Sequence, residues 1–131
     1  MKKVIAGVIA MVILGCNAVL PAAYAAQEQK GYETPINIVA TAYAPGAHDN
    51  GKWGSKTYLG TPVRPGIIAV DPRVIPLGSK VRIEFADGHS VEATAEDTGG
   101  AIKGNRIDIA LDSVPEAYQF GIQNVKVYII N

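Results

Sequence analysis

Residues 95–111 of this chain read Ala95-Glu96-Asp97-Thr98-Gly99-Gly100-Ala101-Ile102-Lys103-Gly104-Asn105-Arg106-Ile107-Asp108-Ile109-Ala110-Leu111. Two carboxylates, Asp97 and Asp108, thus lie on either side of a glycine-rich connection between two predicted strands. In the second strand, side chains alternate between faces, so Ile107 and Ile109 lie opposite Asp108. Aspartate is disfavoured in the middle of a strand, which indicates that a specific interaction keeps it there. The pattern predicts a functional site.

A third aspartate follows a shorter apolar run upstream. The run Ile67-Ile68-Ala69-Val70 ends at Asp71, and Pro72 then stops sheet pairing. Asp71 and Asp97 each have a structural interpretation as well, because an aspartate beside a turn accepts hydrogen bonds from the turn amides. The three acids are therefore expected at or near strand ends, with either a structural or a chemical role.

Apolar, β-branched runs recur along the chain and are separated by turn residues. Ala86-Asp87-Gly88-His89 is typical of a hairpin turn. Ser113-Val114-Pro115-Glu116 has capping-box spacing, and Gly121 can end the helix that it starts. Periodicity alone thus predicts a small, mainly β barrel or sandwich with one short helix. The six predicted strands are Ile36 to Tyr43, Gly66 to Val70, Lys80 to Phe85, Ser90 to Ala95, Arg106 to Leu111 and Val125 to Ile130.

These segments resemble the three-aspartate (3D) domain of bacterial cell-wall proteins, and the Asp97–Gly104 core resembles that of the membrane-bound A-type and stationary-phase lytic transglycosylases. The resemblance extends from about Ile38 to the C-terminus and includes Ala40-Thr41-Ala42-Tyr43. It implies a six-stranded double-psi β-barrel. It also implies cleavage of the β-1,4 bond between N-acetylmuramic acid and N-acetylglucosamine in peptidoglycan, which leaves 1,6-anhydromuramyl ends.

Breaking a glycosidic bond requires a proton for the departing oxygen, so one carboxylic acid must stay protonated near neutral pH. Burial or a neighbouring negative charge achieves this, and clustered aspartates supply the charge. By position in the resemblance, Asp108 is the catalytic acid and base. Asp97 and Asp71 match the supporting pair of the catalytic set.

Candidate substrate-binding residues surround these acids. Gly99 and Gly100 permit close approach of a glycan to the backbone, and the long loop 44–62 offers aromatic faces for sugar rings. Trp53 has two interpretations, as a sugar-stacking residue or as a residue that pins the loop to the barrel. The remaining binding candidates are Thr41, Tyr43, Lys103 and Arg106.

The first quarter of the chain differs from the rest. Lys2 and Lys3 precede an uncharged apolar run, and Ala23-Tyr24-Ala25 matches a signal-peptidase site. We therefore expect a signal peptide at 1–26, a flexible lead at 27–35 and the barrel domain at 36–131, outside the cytoplasmic membrane. Ile13-Leu14-Gly15-Cys16 offers an alternative, in which lipidation of Cys16 attaches the protein to a membrane.

Composition excludes several classes of protein. The chain has 12 basic and 12 acidic side chains, and without Lys2 and Lys3 its net charge is negative, which argues against nucleic acid as a partner. No sequence pattern indicates a nucleotide, a metal or another cofactor. Two alternatives to a lytic enzyme stay open: a non-catalytic wall-binding or wall-loosening module of the expansin type, and an inverting hydrolase, which needs two acids about 6.5–9.5 Å apart.

Overall fold

The computed structural model describes residues 34–131, which form a closed barrel of six strands in the order β1-β5-β2-β4-β3-β6. Two short helices, α1 (Ala47–Asn50) and α2 (Val114–Phe120), and a 3₁₀ turn at Gly51–Trp53 lie between strands. The strands are β1 (Ile36–Tyr43), β2 (Ile67–Ala69), β3 (Lys80–Glu84), β4 (Ser90–Asp97), β5 (Arg106–Ala110) and β6 (Gln123–Ile129).

The barrel contains two parallel pairs, β1 with β5 and β2 with β4. The other four pairings are antiparallel. Every strand therefore has two partners, and the chain crosses over itself as a double-psi β-barrel requires. Each predicted strand is confirmed to within a few residues. β4 runs two residues further than predicted, through Asp97, because its end pairs with Ala69 of β2 across a bulge.

The barrel interior is filled by aliphatic side chains from all six strands. Ile107 and Ile109 of β5 face this interior, as the alternation predicted, and Asp108 faces outward. Burying nine large aliphatic side chains almost completely provides the main stabilisation, at about 1.5–3 kcal/mol for each side chain. Eight of them lie in the barrel interior, and Ile67 lies on its outside; the eight are Ile38, Ile68, Ile75, Ile83, Ile107, Val70, Val81 and Val127.

A second, smaller set of buried side chains lies on the outside of the barrel. We call it the outer cluster; it consists of Tyr43, Val63, Ile67, Ala69, Ile102 and Ala110. Because side chains alternate along β2, Ile67 and Ala69 face this cluster while Ile68 faces the interior. Val63 comes from the long loop before β2, so the cluster holds that loop against β1, β2 and β5.

The predicted turn and helix are both confirmed. Gly88 has a φ of 94° in the β3–β4 hairpin, a value that favours glycine. At α2, the backbone N–H of Glu116 donates to Ser113 Oγ at 3.3 Å, and Gly121 follows the last turn with a φ of 68°. The structure adds α1, which was not predicted. This single turn has no side-chain cap, and Asp49 Oδ2 tethers it by accepting from the Ala44 N–H at 2.9 Å.

Within residues 34–131, no helix is long and apolar enough to cross a membrane. The predicted signal peptide, Cys16 and residues 27–33 of the lead lie outside the described residues.

Candidate active site

Asp108 lies half-buried on the outer face of β5, between Thr41 of β1 and Ala69 of β2 in the strand register. Thr41 Oγ1 donates a hydrogen bond to Asp108 Oδ1 at 3.0 Å. Oδ2 makes no hydrogen bond to any other atom of residues 34–131. The hydrogen bond from Thr41 is the specific interaction that an aspartate in the middle of a strand predicted. It leaves Oδ2 of Asp108 available to a ligand.

The pKa of Asp108 is raised above its ordinary value, chiefly because the carboxyl group is partly buried. The hydrogen bond from Thr41 and the positive charge of Arg106 lower the pKa, whereas the negative charges of Asp49 and Asp97 raise it. Burial outweighs the opposing contributions. The side chain is therefore biased toward the protonated form that a general acid needs.

Asp97 lies at the end of β4 with 5% of its surface exposed. Its Oδ1 accepts from the backbone N–H groups of Tyr58 at 2.8 Å and Thr98 at 2.9 Å. Its Oδ2 accepts from the Tyr43 hydroxyl at 2.7 Å. Three donors therefore fix the carboxylate in one orientation and use both of its oxygens.

Ala69 pairs with both Asp97 and Asp108, on its two sides. The two aspartates thus lie on β4 and β5, on opposite sides of β2. Their Cα atoms are separated by about 10 Å, which is twice the spacing of adjacent strands. At this distance the Asp97 charge raises the pKa of Asp108 without a direct hydrogen bond between them. The Ala69 side chain between the two acids is buried in the outer cluster.

Asp71 has a different environment, with 3% of its surface exposed. It accepts from the Arg73 side chain at 3.0 and 2.8 Å and from the Gly104 N–H at 2.8 Å. These bonds, with the Arg73 side chain first, hold the pKa of Asp71 far below its usual range. Asp71 therefore ties the turn after β2 to the loop that enters β5, and its charge is paired with Arg73.

A cavity of about 420 Å³ opens beside Asp97, and we call it the outer groove. Trp53 and Tyr58 form part of its wall with 61% and 65% of their surfaces exposed. Their rings are thus available to a ligand instead of packing onto the barrel. The lining residues are Asp49, Asn50, Trp53, Tyr58, Asp97, Thr98, Gly99 and Gly100.

The wall that carries Tyr58 is attached to β4 by a second buried acid. Glu96 accepts from Arg64 Nη1 and Nη2 at 3.1 and 3.0 Å and from Thr61 Oγ1 at 2.6 Å. These bonds, led by the one from Arg64, lower the pKa of Glu96. Sequence reasoning missed this anchor; the only available signal was an acid, Glu96, directly beside Asp97.

The other predicted binding residues, Thr41, Tyr43, Lys103 and Arg106, do not line the outer groove. Tyr43 is buried in the outer cluster, and burial together with its bond to Asp97 raises the pKa of its hydroxyl, so it supports Asp97 from below. Thr41 contacts Asp108 directly. Lys103 is exposed and is not among the groove-lining residues, and Arg106 is half-buried on the Asp108 face of β5. In residues 34–131, no group of three or more His, Cys, Asp or Glu side chains is placed to hold a metal ion.

Gly99 and Gly100 form a matched pair for mutation, since neither has a positive φ. A Cβ at Gly99 would lie 2.9 Å from Ile102 Cγ1, whereas one at Gly100 would meet nothing within 4 Å. We expect Gly99→Ala to lower the free energy of unfolding by about 1–3 kcal/mol, because Ile102 must shift within the outer cluster. Gly100→Ala should change it by less than about 0.5 kcal/mol. Urea unfolding of both variants measures the difference, and the reverse ranking would contradict this packing.

The raised pKa of Asp108 also predicts how stability depends on pH. The folded state holds the Asp108 proton more tightly than the unfolded chain, in which the pKa of this carboxyl group is near 3.8. The stabilising contribution is therefore complete below that pH and is lost as pH rises through the folded pKa. Asp108→Asn has no such titration, so the melting temperature of the variant minus that of the wild type should increase between about pH 3 and pH 7. Thermal melts across this range test it, and a flat or falling difference would count against the raised pKa.

Comparison with known proteins identifies a family and a relative that share this sequence. The model of the 3D domain matches residues 66–131. The cell wall-binding protein YocH of Bacillus subtilis is 46% identical over 99 residues, which cover 73% of this chain but 32% of YocH. The chain thus spans about a third of the length of that relative.

Solved structures share the barrel. MltA from E. coli superposes with a TM-score of 0.52 at 24% identity, covering 58% of this chain and 27% of MltA. An expansin from Clavibacter michiganensis gives 0.52 at 16% identity, covering 75% of this chain and 51% of the expansin. At these identities the likeness is one of fold. The match to the family model, over half of the sequence and including both Asp97 and Asp108, establishes that the chain belongs to the 3D domain family.

Proposed function

We propose that this chain is a peptidoglycan lytic transglycosylase that cleaves the β-1,4 bond between N-acetylmuramic acid and N-acetylglucosamine. The observation that carries the proposal is Asp108, a half-buried carboxyl group with a raised pKa and one oxygen without a hydrogen bond. A single acid of this kind suffices when the substrate supplies its own nucleophile. The paired acids of ordinary glycosidases are then not required.

In the proposed reaction, Asp108 gives its proton to the glycosidic oxygen as the bond from that oxygen to C1 of the muramic acid breaks. The C6 hydroxyl of the same sugar attacks C1 and forms the new C6–O–C1 bond. The Asp108 carboxylate accepts the proton that this hydroxyl loses, so the acid is regenerated and no water is consumed. N-acetylglucosamine leaves with a free hydroxyl, and the other product ends in a 1,6-anhydro ring.

The surrounding residues support this assignment in separate ways. Asp97 contributes negative charge that raises the pKa of Asp108, and Tyr43 holds Asp97 in place. Trp53 and Tyr58 offer rings for stacking along the glycan. Asp71 acts indirectly, because it accepts a hydrogen bond from Gly104 and so fixes the loop that leads into β5. We assign Asp108 the chemistry and the other two aspartates positioning roles.

The proposed partner is the glycan strand of peptidoglycan, and the proposed location is the cell envelope. Membership of the 3D domain family and the name of YocH, a cell wall-binding protein, support both. The signal peptide at 1–26 is part of this proposal, with lipidation of Cys16 as the alternative route to the envelope. Both lie outside the described residues.

A non-catalytic wall-binding module is the second candidate, favoured by a specific observation. The outer groove has two exposed aromatic side chains and can hold a sugar chain without any proton transfer. The likeness of fold to an expansin is compatible with this alternative. An inverting hydrolase is less well supported, because both oxygens of Asp97 already accept hydrogen bonds from the protein and it is poorly placed to activate a water.

Product analysis separates these candidates. The purified protein is incubated with intact peptidoglycan, and the soluble fragments are identified by mass spectrometry. Anhydromuramyl ends are the expected result. Reducing ends would identify a hydrolase, and sedimentation of the protein with peptidoglycan without any soluble fragments would identify a binding module.

A further inference from the structure

Arg106 of β5 has a half-buried, positively charged side chain. Its Nε is buried and makes no hydrogen bond, and its guanidinium group forms no ion pair with any residue from 34 to 131. Two other arginines of the same region are in ion pairs, Arg64 with Glu96 and Arg73 with Asp71. A buried N–H donor without a hydrogen bond is costly, so the placement of this Nε calls for a ligand or a role in the fold.

The location of Arg106 favours a ligand. It stands two residues before Asp108 on the same outer face of β5, about 7 Å away along the strand. Its charge is felt at the acid, since it lowers the pKa of Asp108. A group bound at Arg106 would therefore lie beside the bond that Asp108 is proposed to break.

We propose that Arg106 forms a carboxylate-binding subsite, which selects glycans that carry an acidic substituent next to the scissile bond. This inference rests on the proposed function and deepens it. A guanidinium binds a carboxylate through two parallel N–H···O bonds, a geometry that a single sugar hydroxyl cannot match. Peptidoglycan supplies carboxylates from two sources, the lactyl group of muramic acid and the stem peptide attached to it.

Binding of a carboxylate would also affect the acid. Arg106 holds the pKa of Asp108 down in the free protein, and a bound carboxylate neutralises that positive charge. The proton on Asp108 is then held more tightly when the correct glycan is bound. The subsite thus couples recognition of the acidic substituent to readiness for proton donation.

Binding to a non-cleaving background tests the subsite directly. In the Asp108→Asn protein, fluorescence of Trp53, the single tryptophan of the chain and a residue of the groove, reports the Kd for three probes. The probes are glycan strands with free lactyl carboxylates, strands that keep their stem peptides, and neutral chitohexaose. Adding Arg106→Gln should raise the Kd about 10- to 100-fold for at least one carboxylate-bearing probe and leave that of chitohexaose within about twofold.

Two further variants make the binding result decisive. Arg106→Lys should recover part of the lost affinity, because lysine keeps the charge but not the paired geometry. Lys80→Gln is the control for an exposed cation on another strand, β3, and should change no Kd by more than about twofold. Equal weakening of all three probes by Arg106→Gln, or equal effects of Arg106→Gln and Lys80→Gln, would overturn the subsite. The more affected strand probe identifies which carboxylate is bound.

A pH profile provides a readout that a purely structural role would not move. With Asp108 intact, Arg106→Gln should shift the basic limb of kcat/KM for peptidoglycan strands to higher pH, because this parameter reports the free protein and the charge that lowers the pKa of Asp108 is gone. An unshifted limb would overturn the coupling. If the wild-type protein binds strands but forms no anhydromuramyl ends, the proposed function fails while the binding test of Arg106 still stands.

Discussion

Asp108→Asn is expected to reduce the release of anhydromuramyl fragments from peptidoglycan by about 10²- to 10⁴-fold, the range for removing a general acid–base group. An amide cannot protonate the glycosidic oxygen, nor take the proton of the C6 hydroxyl. The fold should survive, because asparagine can still accept the hydrogen bond from Thr41 through its side-chain oxygen. The initial rate of fragment release, measured by mass spectrometry, gives the ratio.

The matched control is Asp112→Asn. Asp112 is exposed and lies two residues after the end of β5, so this variant makes the same chemical change just beyond the strand. Its rate should stay within about twofold of the wild type. If Asp108→Asn kept more than half of the wild-type rate, another group would have to be the acid.

Asp97→Ala is expected to have the second-largest effect, this time on stability. It removes the acceptor of three donors, the N–H groups of Tyr58 and Thr98 and the Tyr43 hydroxyl. Leaving buried donors unsatisfied costs about 1–3 kcal/mol each, and partial access to water reduces the sum. We expect the free energy of unfolding to fall by about 3–4 kcal/mol in urea denaturation.

Two gentler variants identify the origin of that loss. Asp97→Asn keeps an oxygen for the two backbone donors, and Tyr43→Phe removes only the hydroxyl. Each should cost about 1–2 kcal/mol, clearly less than Asp97→Ala. Equal losses for all three variants would mean that the hydrogen bonds to Oδ1 contribute little.

Much of the barrel could be predicted from local pattern. The two-residue period of β5 placed Ile107 and Ile109 inside and Asp108 outside, and capping chemistry predicted α2. These features depend on neighbours in sequence, and so they can be read from a single chain. The order of the strands around the barrel depends on distant pairings and came from the family resemblance.

The support of the site could not be predicted in the same way. Tyr43 and Asp97 are far apart in sequence, and their hydrogen bond exists because the barrel brings the ends of β1 and β4 together. Asp71 is an intermediate case. Its position beside a turn already predicted hydrogen bonds from backbone amides, but nothing in the sequence indicated that one of these amides belongs to the distant Gly104. The anchoring of the loop by Glu96 depends on Arg64 in the same long-range manner.

The pairing of β1 has a consequence for the way the chain reaches its native state. β1 forms no ladder with β2, β3 or β4; its two neighbours are β5 and β6, and Ile36 pairs with Val127. The first strand therefore waits for nearly the whole domain to be synthesised before it can join the sheet, and contacts so distant in sequence slow folding. A nascent chain with this topology is expected to stay unfolded until its last strand is available.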